Sequence, residues 1–74
     1  MGMTFQQWRR SRRVQVVAGD YVARFDYAGC QSGEHIRLWR NGMFCFVDAD
    51  GCGWPVVGME EAEMMLARVC FQSP

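Results

Sequence analysis

The stretch that decides the fold runs from His35 to Asp50 and reads His-Ile-Arg-Leu-Trp-Arg-Asn-Gly-Met-Phe-Cys-Phe-Val-Asp-Ala-Asp. Runs rich in β-branched and aromatic residues flank Asn41-Gly42, and an Asn-Gly pair is the strongest short-range signal for a β-hairpin. A two-residue type I′ turn at this pair predicts that Trp39 faces Phe44. The stretch therefore predicts a central hairpin with a defined register.

This register assigns the side chains of the hairpin to two different faces, because side chains alternate along a strand. One face is aliphatic and suited to a hydrophobic core, and it carries Ile36, Leu38, Cys45 and Val47. The other is aromatic with a basic component, and it carries His35, Arg37, Trp39, Phe44, Phe46 and Asp48. We expect a helix to cover the aliphatic face and the aromatic face to stay open. The alternative is that an N-terminal helix covers the aromatic face with Phe5 and Trp8.

The rest of the chain predicts one further hairpin and one clear helix. Residues 13–18 and 21–28 alternate like strands around a turn at Gly19-Asp20. Apolar residues recur at helical spacing over 59–71, with acidic residues first and Arg68 near the end, as the helix dipole prefers. Val56-Val57 is consistent with a short edge strand.

The N-terminal segment has two interpretations. Thr4 is a good N-cap for a short helix in which Phe5 and Trp8 share a face, and the alternative is an extended segment. The predicted fold is α+β: a small antiparallel sheet of about four strands in two hairpins, with a C-terminal helix packed on one face. Residues 1–74 form a single domain.

Composition points to a surface that binds something. Half of the 74 residues are hydrophobic and 14% are aromatic, while a chain of this size buries only about 60% of its unfolded surface. The surplus predicts a homo-oligomer or an exposed functional face. Net charge is zero, which argues against broad electrostatic binding of nucleic acid.

The charges are nevertheless clustered. Four arginines near the N-terminus are Arg9, Arg10, Arg12 and Arg13, and three acids near the other end are Glu60, Glu61 and Glu63. The arginines suit a phosphate-binding arm, or a solvated basic segment that pairs with the acidic start of the helix.

The cysteines are expected to be reduced. The sequence has no membrane-spanning run and no signal-peptide core, which predicts a cytoplasmic protein whose Cys30, Cys45, Cys52 and Cys70 remain thiols. A zinc site from these cysteines and His35 would lack the usual paired ligand spacing. We therefore expect no metal and no cofactor.

Catalysis has little support in the sequence. His35 with Cys30 or Cys52 resembles a thiol–imidazole pair, but no third group to orient it is evident. The Asp48-x-Asp50-Gly51 segment lacks the glycine and glutamate positions of a calcium loop, and a turn with local hydrogen bonds explains it better. We expect that the protein is not an enzyme.

The favoured hypothesis is a non-enzymatic interaction protein that binds a larger protein or nucleoprotein and inhibits it. A phage or mobile-element protein that blocks a host defence complex is one form of this idea, based on size and composition alone. The predicted binding residues are Arg37, Trp39, Phe44 and Phe46, with Arg9, Arg10, Arg12 and Arg13 as a basic rim. Glu60, Glu61 and Glu63 are expected, alternatively, to mimic phosphates.

Two other functions stay open. The first is a small nucleic-acid-binding module that uses the aromatic face for stacking and the arginine arm for phosphate. The second is a structural protein that forms a homodimer through the aromatic face.

Overall fold

Five antiparallel strands form one sheet in the computed structural model, which describes residues 2–70. The strands lie side by side in chain order. The elements are α1 (Phe5–Arg10), β1 (Arg13–Val16), β2 (Tyr21–Asp26), β3 (His35–Trp39), β4 (Phe44–Val47), β5 (Gly53–Val56) and α2 (Met59–Cys70). The predicted α+β class is confirmed, with five strands rather than about four. The predicted helix end at Phe71 lies outside the described residues.

The turn between β3 and β4 differs from the predicted one. The Trp39 N–H donates to the Met43 carbonyl at 2.8 Å, and the Gly42 N–H donates to the Trp39 carbonyl at 2.9 Å. Gly42 has a φ of +91°, whereas Asn41 does not adopt positive φ, so a type I′ turn is excluded. The loop therefore contains three residues, and the Asn41 side chain accepts from the Met43 N–H at 2.9 Å.

The extra loop residue shifts the register by one position and turns β4 over. Phe44 faces Leu38, and Phe46 faces Ile36. The predicted division into an aliphatic and an aromatic face is therefore wrong. One side of the hairpin carries Ile36, Leu38, Phe44 and Phe46, and the other carries His35, Arg37, Trp39, Cys45 and Val47.

An irregularity in β2 moves Tyr21 as well. Tyr21 faces Trp39 and Ala23 faces Leu38, so Val22 is an extra residue in β2. Such a bulge reverses the side-chain alternation beyond it. Tyr21 consequently lies on the same side as Trp39. The predicted regular alternation of residues 21–28 would have placed Tyr21 on the side of Ala23 and Phe25, so this part of the prediction is wrong.

Helix α2 covers the side of the sheet that carries Ile36 and Phe46. Leu66 of α2 packs in one cluster with these two residues, and both Leu66 and Ile36 are fully buried. The expectation that a helix covers the side carrying Ile36 is confirmed, but the neighbours of Ile36 are phenylalanines rather than Cys45 and Val47. This side is called the helix side below. The other side is called the open face, on which Arg37 and Trp39 are partly exposed while His35, Cys45 and Val47 are buried.

Helix α1 packs on the helix side too. Thr4 caps it, since the Thr4 hydroxyl accepts from the Gln7 N–H and the Gln7 side chain accepts from the Thr4 N–H. Trp8 is buried, stacks on Tyr27 with 4.5 Å between ring centroids, and donates to the Ala28 carbonyl at 2.9 Å. The predicted Thr4 cap is confirmed, and α1 does not cover the open face.

A disulfide links the β2–β3 loop to the end of α2. Cys30 is bonded to Cys70 across 40 positions of sequence, so the expectation that these two cysteines are reduced is wrong. Cys45 and Cys52 are free thiols. Gly29 permits the close approach, because it has a φ of +85° and a Cβ there would lie 2.7 Å from the Cys70 carbonyl oxygen. Among residues 2–70, neither helix is long and apolar enough to cross a membrane.

Removal of this disulfide is expected to destabilise the fold strongly. For a loop of this length, the chain-entropy model gives about 4 kcal/mol, a large part of the stability of so small a domain. Urea unfolding of Cys30→Ser should show this loss, whereas Cys52→Ser should unfold close to the wild-type midpoint. Equal midpoints for Cys30→Ser and wild type would contradict the expectation.

Candidate functional site

The open face carries a cluster of two aromatic rings and one guanidinium, formed by Tyr21, Arg37 and Trp39. The Arg37 guanidinium lies 4.4 Å from the centroid of the Tyr21 ring. The Tyr21 and Trp39 rings meet edge to face with centroids 5.6 Å apart. All three side chains are partly exposed. We call these three residues the open-face cluster.

His35, two residues before Arg37 on the same side of β3, orients the Arg37 side chain by a hydrogen bond. Its Nδ1 lies 2.7 Å from the Gly33 carbonyl oxygen, and its Nε2 lies 3.0 Å from the Arg37 Nε. A carbonyl only accepts and an arginine Nε–H only donates, so the ring is the neutral Nδ1–H tautomer. Burial lowers the pKa of His35, and the nearby charges of Arg24 and Arg37 act in the same direction, against the hydrogen bond to Gly33 and the charge of Asp26.

This arrangement predicts that acid weakens the fold. The pKa of His35 is lower in the folded chain than its ordinary value of 6.5, so the unfolded chain takes up the proton first as pH falls. The contribution of neutral His35 is therefore complete above about pH 6.5 and declines below it. Urea midpoints measured from neutral pH to about pH 5 should decline in wild type and be flatter in His35→Gln. A parallel decline in both proteins would assign the effect to other groups.

Arg37 retains capacity for a partner. Its Nε is committed to His35, but within residues 2–70 no carboxylate forms an ion pair with it. Neighbouring Arg24 differs, because it pairs with Asp26 at 3.0 Å on the same face. The Nη groups of Arg37 can therefore meet an external carboxylate or phosphate.

Trp39 is also oriented by the fold. Its Nε1–H donates to the Sγ of buried Cys45 at 3.0 Å. A ring and a guanidinium that are already held in place lose less conformational entropy when a partner binds. The open-face cluster is thus a preorganised contact surface.

Two predicted binding residues lie elsewhere. Phe46 belongs to the core on the helix side, and Phe44 packs against that core, 6.3 Å from Phe25 between ring centroids. Their assignment to the aromatic binding face is wrong because β4 is turned over. Tyr21, which the prediction omitted, takes their place beside Trp39. The alternation in β2 gave no signal for this, since the bulge reverses it.

Two arginines of the N-terminal run pair with a buried carboxylate. Arg9 pairs with Glu63 at 2.9 Å and Arg12 with Glu63 at 3.6 Å, while the Tyr27 hydroxyl donates to Glu63 at 2.5 Å. Glu63 is only 1% exposed, so its predicted role as a phosphate mimic is wrong. Burial and the hydrogen bond to Glu63 raise the pKa of Tyr27 far above its ordinary value. Pairing of the arginines with the acidic helix start is therefore found for Arg9 and Arg12.

The other charged candidates stay near the surface. Arg10 is exposed, and exposed Arg13 faces Asp26 across β1 and β2. Glu60 and Glu61 border a shallow groove beside α2 that also includes Val57, Met64 and Arg68. The Glu61 carboxylate accepts from the Val57 N–H at 2.7 Å, so it also fixes the start of α2.

Loss of Glu63 should destabilise the protein. Glu63→Ala removes a partner from the buried Tyr27 hydroxyl and from two arginines, with an expected cost of about 3 kcal/mol. Glu60→Ala, at an exposed position of the same helix turn, should change stability little. Thermal unfolding of both variants gives the comparison. Similar melting temperatures for Glu63→Ala and Glu60→Ala would contradict the expectation.

Several groups considered for metal or thiol chemistry are otherwise engaged, whereas Cys52 is an exposed free thiol. Cys30 is in the disulfide, and both nitrogens of His35 have partners. Asp48 faces neither His35 nor a cation, because its carboxylate accepts from the backbone of Asp50 and Cys52 and from the Trp54 indole, each at 2.9 Å. These bonds lower the pKa of Asp48, the indole contributing most. The predicted turn with local hydrogen bonds is confirmed.

Comparisons with known proteins found no relative from which a role for this site could be argued. No protein-family model matches the chain, and neither the curated proteins nor the solved structures contain a match. Function is therefore argued from the geometry of the open face and from the charges around it.

Proposed function

We propose that this chain is a non-enzymatic binding protein that docks its open-face cluster onto a larger protein partner and inhibits that partner by occupying its surface. The observation that supports this most is the stacking of Arg37 on Tyr21 beside Trp39. These three side chains are partly exposed, on the side of the sheet opposite to the core that α2 covers. Tryptophan, tyrosine and arginine supply most of the binding energy at protein interfaces.

The chemistry of the cluster indicates what the partner presents. The rings of Tyr21 and Trp39 are complementary to an apolar ridge on the partner. The uncommitted Nη groups of Arg37 are complementary to a carboxylate or a carbonyl at the border of that ridge. The hydrogen bonds from Arg37 to His35 and from Trp39 to Cys45 hold the cluster in one arrangement. A partner that offers this combination would bind without reorganising the sheet.

Inhibition is the effect expected of so small a chain. A protein of 74 residues with an exposed contact surface acts most simply by covering a site on something larger. A phage or mobile-element protein that blocks a host defence complex remains one concrete form, supported by size and composition alone.

Binding of single-stranded nucleic acid is the second candidate function. Exposed rings on an open sheet can stack bases, and Arg37 can meet a phosphate. Two facts favour a protein partner instead: Arg24 is neutralised by Asp26, and Arg9 and Arg12 pair with Glu63. Phosphate contacts normally dominate affinity for nucleic acid.

The cellular compartment of the protein is a separate question, with the cytoplasm and an oxidising compartment as the two candidates. The predicted cytoplasmic location requires reduced cysteines, whereas Cys30 and Cys70 are bonded, and disulfides persist mainly in oxidising compartments. Alkylation of thiols in denaturant at the moment of lysis, which also exposes buried Cys45, distinguishes the two cases by mass spectrometry. Labelling of all four cysteines supports the cytoplasm, and labelling of Cys45 and Cys52 alone supports an oxidising compartment.

The proposed function is tested by capture of partners with matched tryptophan variants. Wild-type protein, Trp39→Ala and Trp54→Ala serve as baits in nuclease-treated lysate of the source cells. Trp54 is an exposed tryptophan of β5 on the helix side, so it controls for general loss of aromatic surface. We expect a protein that binds wild type and Trp54→Ala, and that binds Trp39→Ala at least about tenfold more weakly.

The same baits separate the two candidate functions. Arg37→Ala should weaken binding of the protein partner as Trp39→Ala does. Moderate salt should change the affinity of wild type for this partner little. Recovery of nucleic acid from a parallel lysate without nuclease, with affinity that falls steeply as salt rises, would favour the second function. Equal loss of partner binding in Trp39→Ala and Trp54→Ala would refute the proposal that the open-face cluster is the contact surface.

A further inference from the structure

Strand β1 is an edge of the sheet that no other element within residues 2–70 covers. Only β2 pairs with it, and its valines are among the most exposed apolar residues of the described chain, Val14 at 57% and Val16 at 84%. Native sheets usually protect such an edge with charge, proline or a covering element. The opposite edge strand, β5, contains Pro55, whose nitrogen has no hydrogen to donate.

The unpaired backbone groups of β1 belong to the same two valines. The Val17 N–H donates to the Val22 carbonyl at 3.2 Å, and hydrogen-bonded residues alternate along an antiparallel pair. Gln15 therefore points its N–H and C=O groups toward β2. Val14 and Val16 point theirs outward, away from the sheet.

We propose that β1 pairs antiparallel with β1 of a second copy of this chain, around a two-fold axis that passes between the two Gln15 residues. Val14 then faces Val16 of the other copy, and each such pair exchanges two backbone hydrogen bonds. This interface is separate from the open-face cluster and goes beyond the proposed function.

The sequence of β1 is self-complementary in this register. Both valines of each copy meet valines across the axis, so the apolar side chains cover one another on the helix side. Gln15 meets its own copy on the open face, where two amides can hydrogen bond to each other. Arg13 faces Val17, which avoids the repulsion of two directly opposed arginines.

The proposed pairing joins two sheets into one continuous sheet. Paired residues in a sheet point to the same side, so both copies place their helices on one side and their open faces on the other. The two clusters of Tyr21, Arg37 and Trp39 would then lie on a single surface. A dimer would thereby present two binding sites in a fixed geometry to a partner that is itself repeated or symmetric.

The test measures mass by sedimentation equilibrium for wild type, Val14→Lys, Val16→Glu and an equimolar mixture of the two variants. Wild type should shift with concentration from the 8.5 kDa of one chain toward twice that mass. Each variant alone should dimerise about tenfold more weakly, because its like charges gather at the two-fold axis and two symmetric contacts are lost. The mixture should regain the dimer, since the introduced lysine faces the introduced glutamate.

The control is Val69→Lys, which changes a valine of α2 that is also 57% exposed. It should dimerise like wild type. A wild-type protein that stays monomeric, a Val69→Lys variant that loses the dimer equally, or a mixture that stays monomeric would each overturn the proposal. Circular dichroism checks that the variants fold. If either fails to fold, Val16→Pro replaces it, because that proline removes only an outward N–H and should abolish the dimer.

Discussion

The register between β3 and β4 is the constraint on which the rest of the structure depends. A three-residue loop that ends in Gly42, with a φ of +91°, sets this register. It places Phe46 opposite Ile36 and directs both toward α2. With a two-residue loop, the same strands would direct Cys45 and Val47 to the helix and expose the phenylalanines. One residue in a turn thus decides what is core and what is surface.

Each side of the sheet contains a buried ionisable group held by arginine. On the helix side, Glu63 accepts from Tyr27 and pairs with Arg9 and Arg12, which ties α1 to α2. On the open face, neutral His35 accepts from Arg37. The first network closes the core and engages two of the four arginines of the N-terminal run, Arg9 and Arg12. The second orients a guanidinium that still has hydrogen bonds to offer, which is why the binding proposal rests on Arg37.

The small size of the chain explains its need for additional links. A domain of 74 residues has little apolar volume to bury. The Cys30–Cys70 bond and the Glu63 network connect segments that are far apart in sequence. Neither link involves the edges of the sheet, and the two edges differ from each other. Strand β5 contains Pro55, whereas β1 exposes Val14 and Val16. Edge and open face are therefore separate surfaces with separate chemistry.

The sequence by itself determined the α+β class, the Thr4 cap, the position of the central turn and the helix that starts at Met59, because these depend on local propensity and on helical spacing. It did not determine the register of β4. Phe44, Cys45, Phe46 and Val47 are all apolar, so the strand lacks the alternation that would select one face for the core.

Only the tertiary structure decided the remaining features of the candidate site. The bulge at Val22, the burial of Glu63 and the pairing of Cys30 with Cys70 depend on contacts between distant segments. Arg37 and Trp39 were predicted correctly to share a face, since both lie on one strand with regular alternation. Their neighbour Tyr21 joins them only through the bulge in the pairing of β2 with β3.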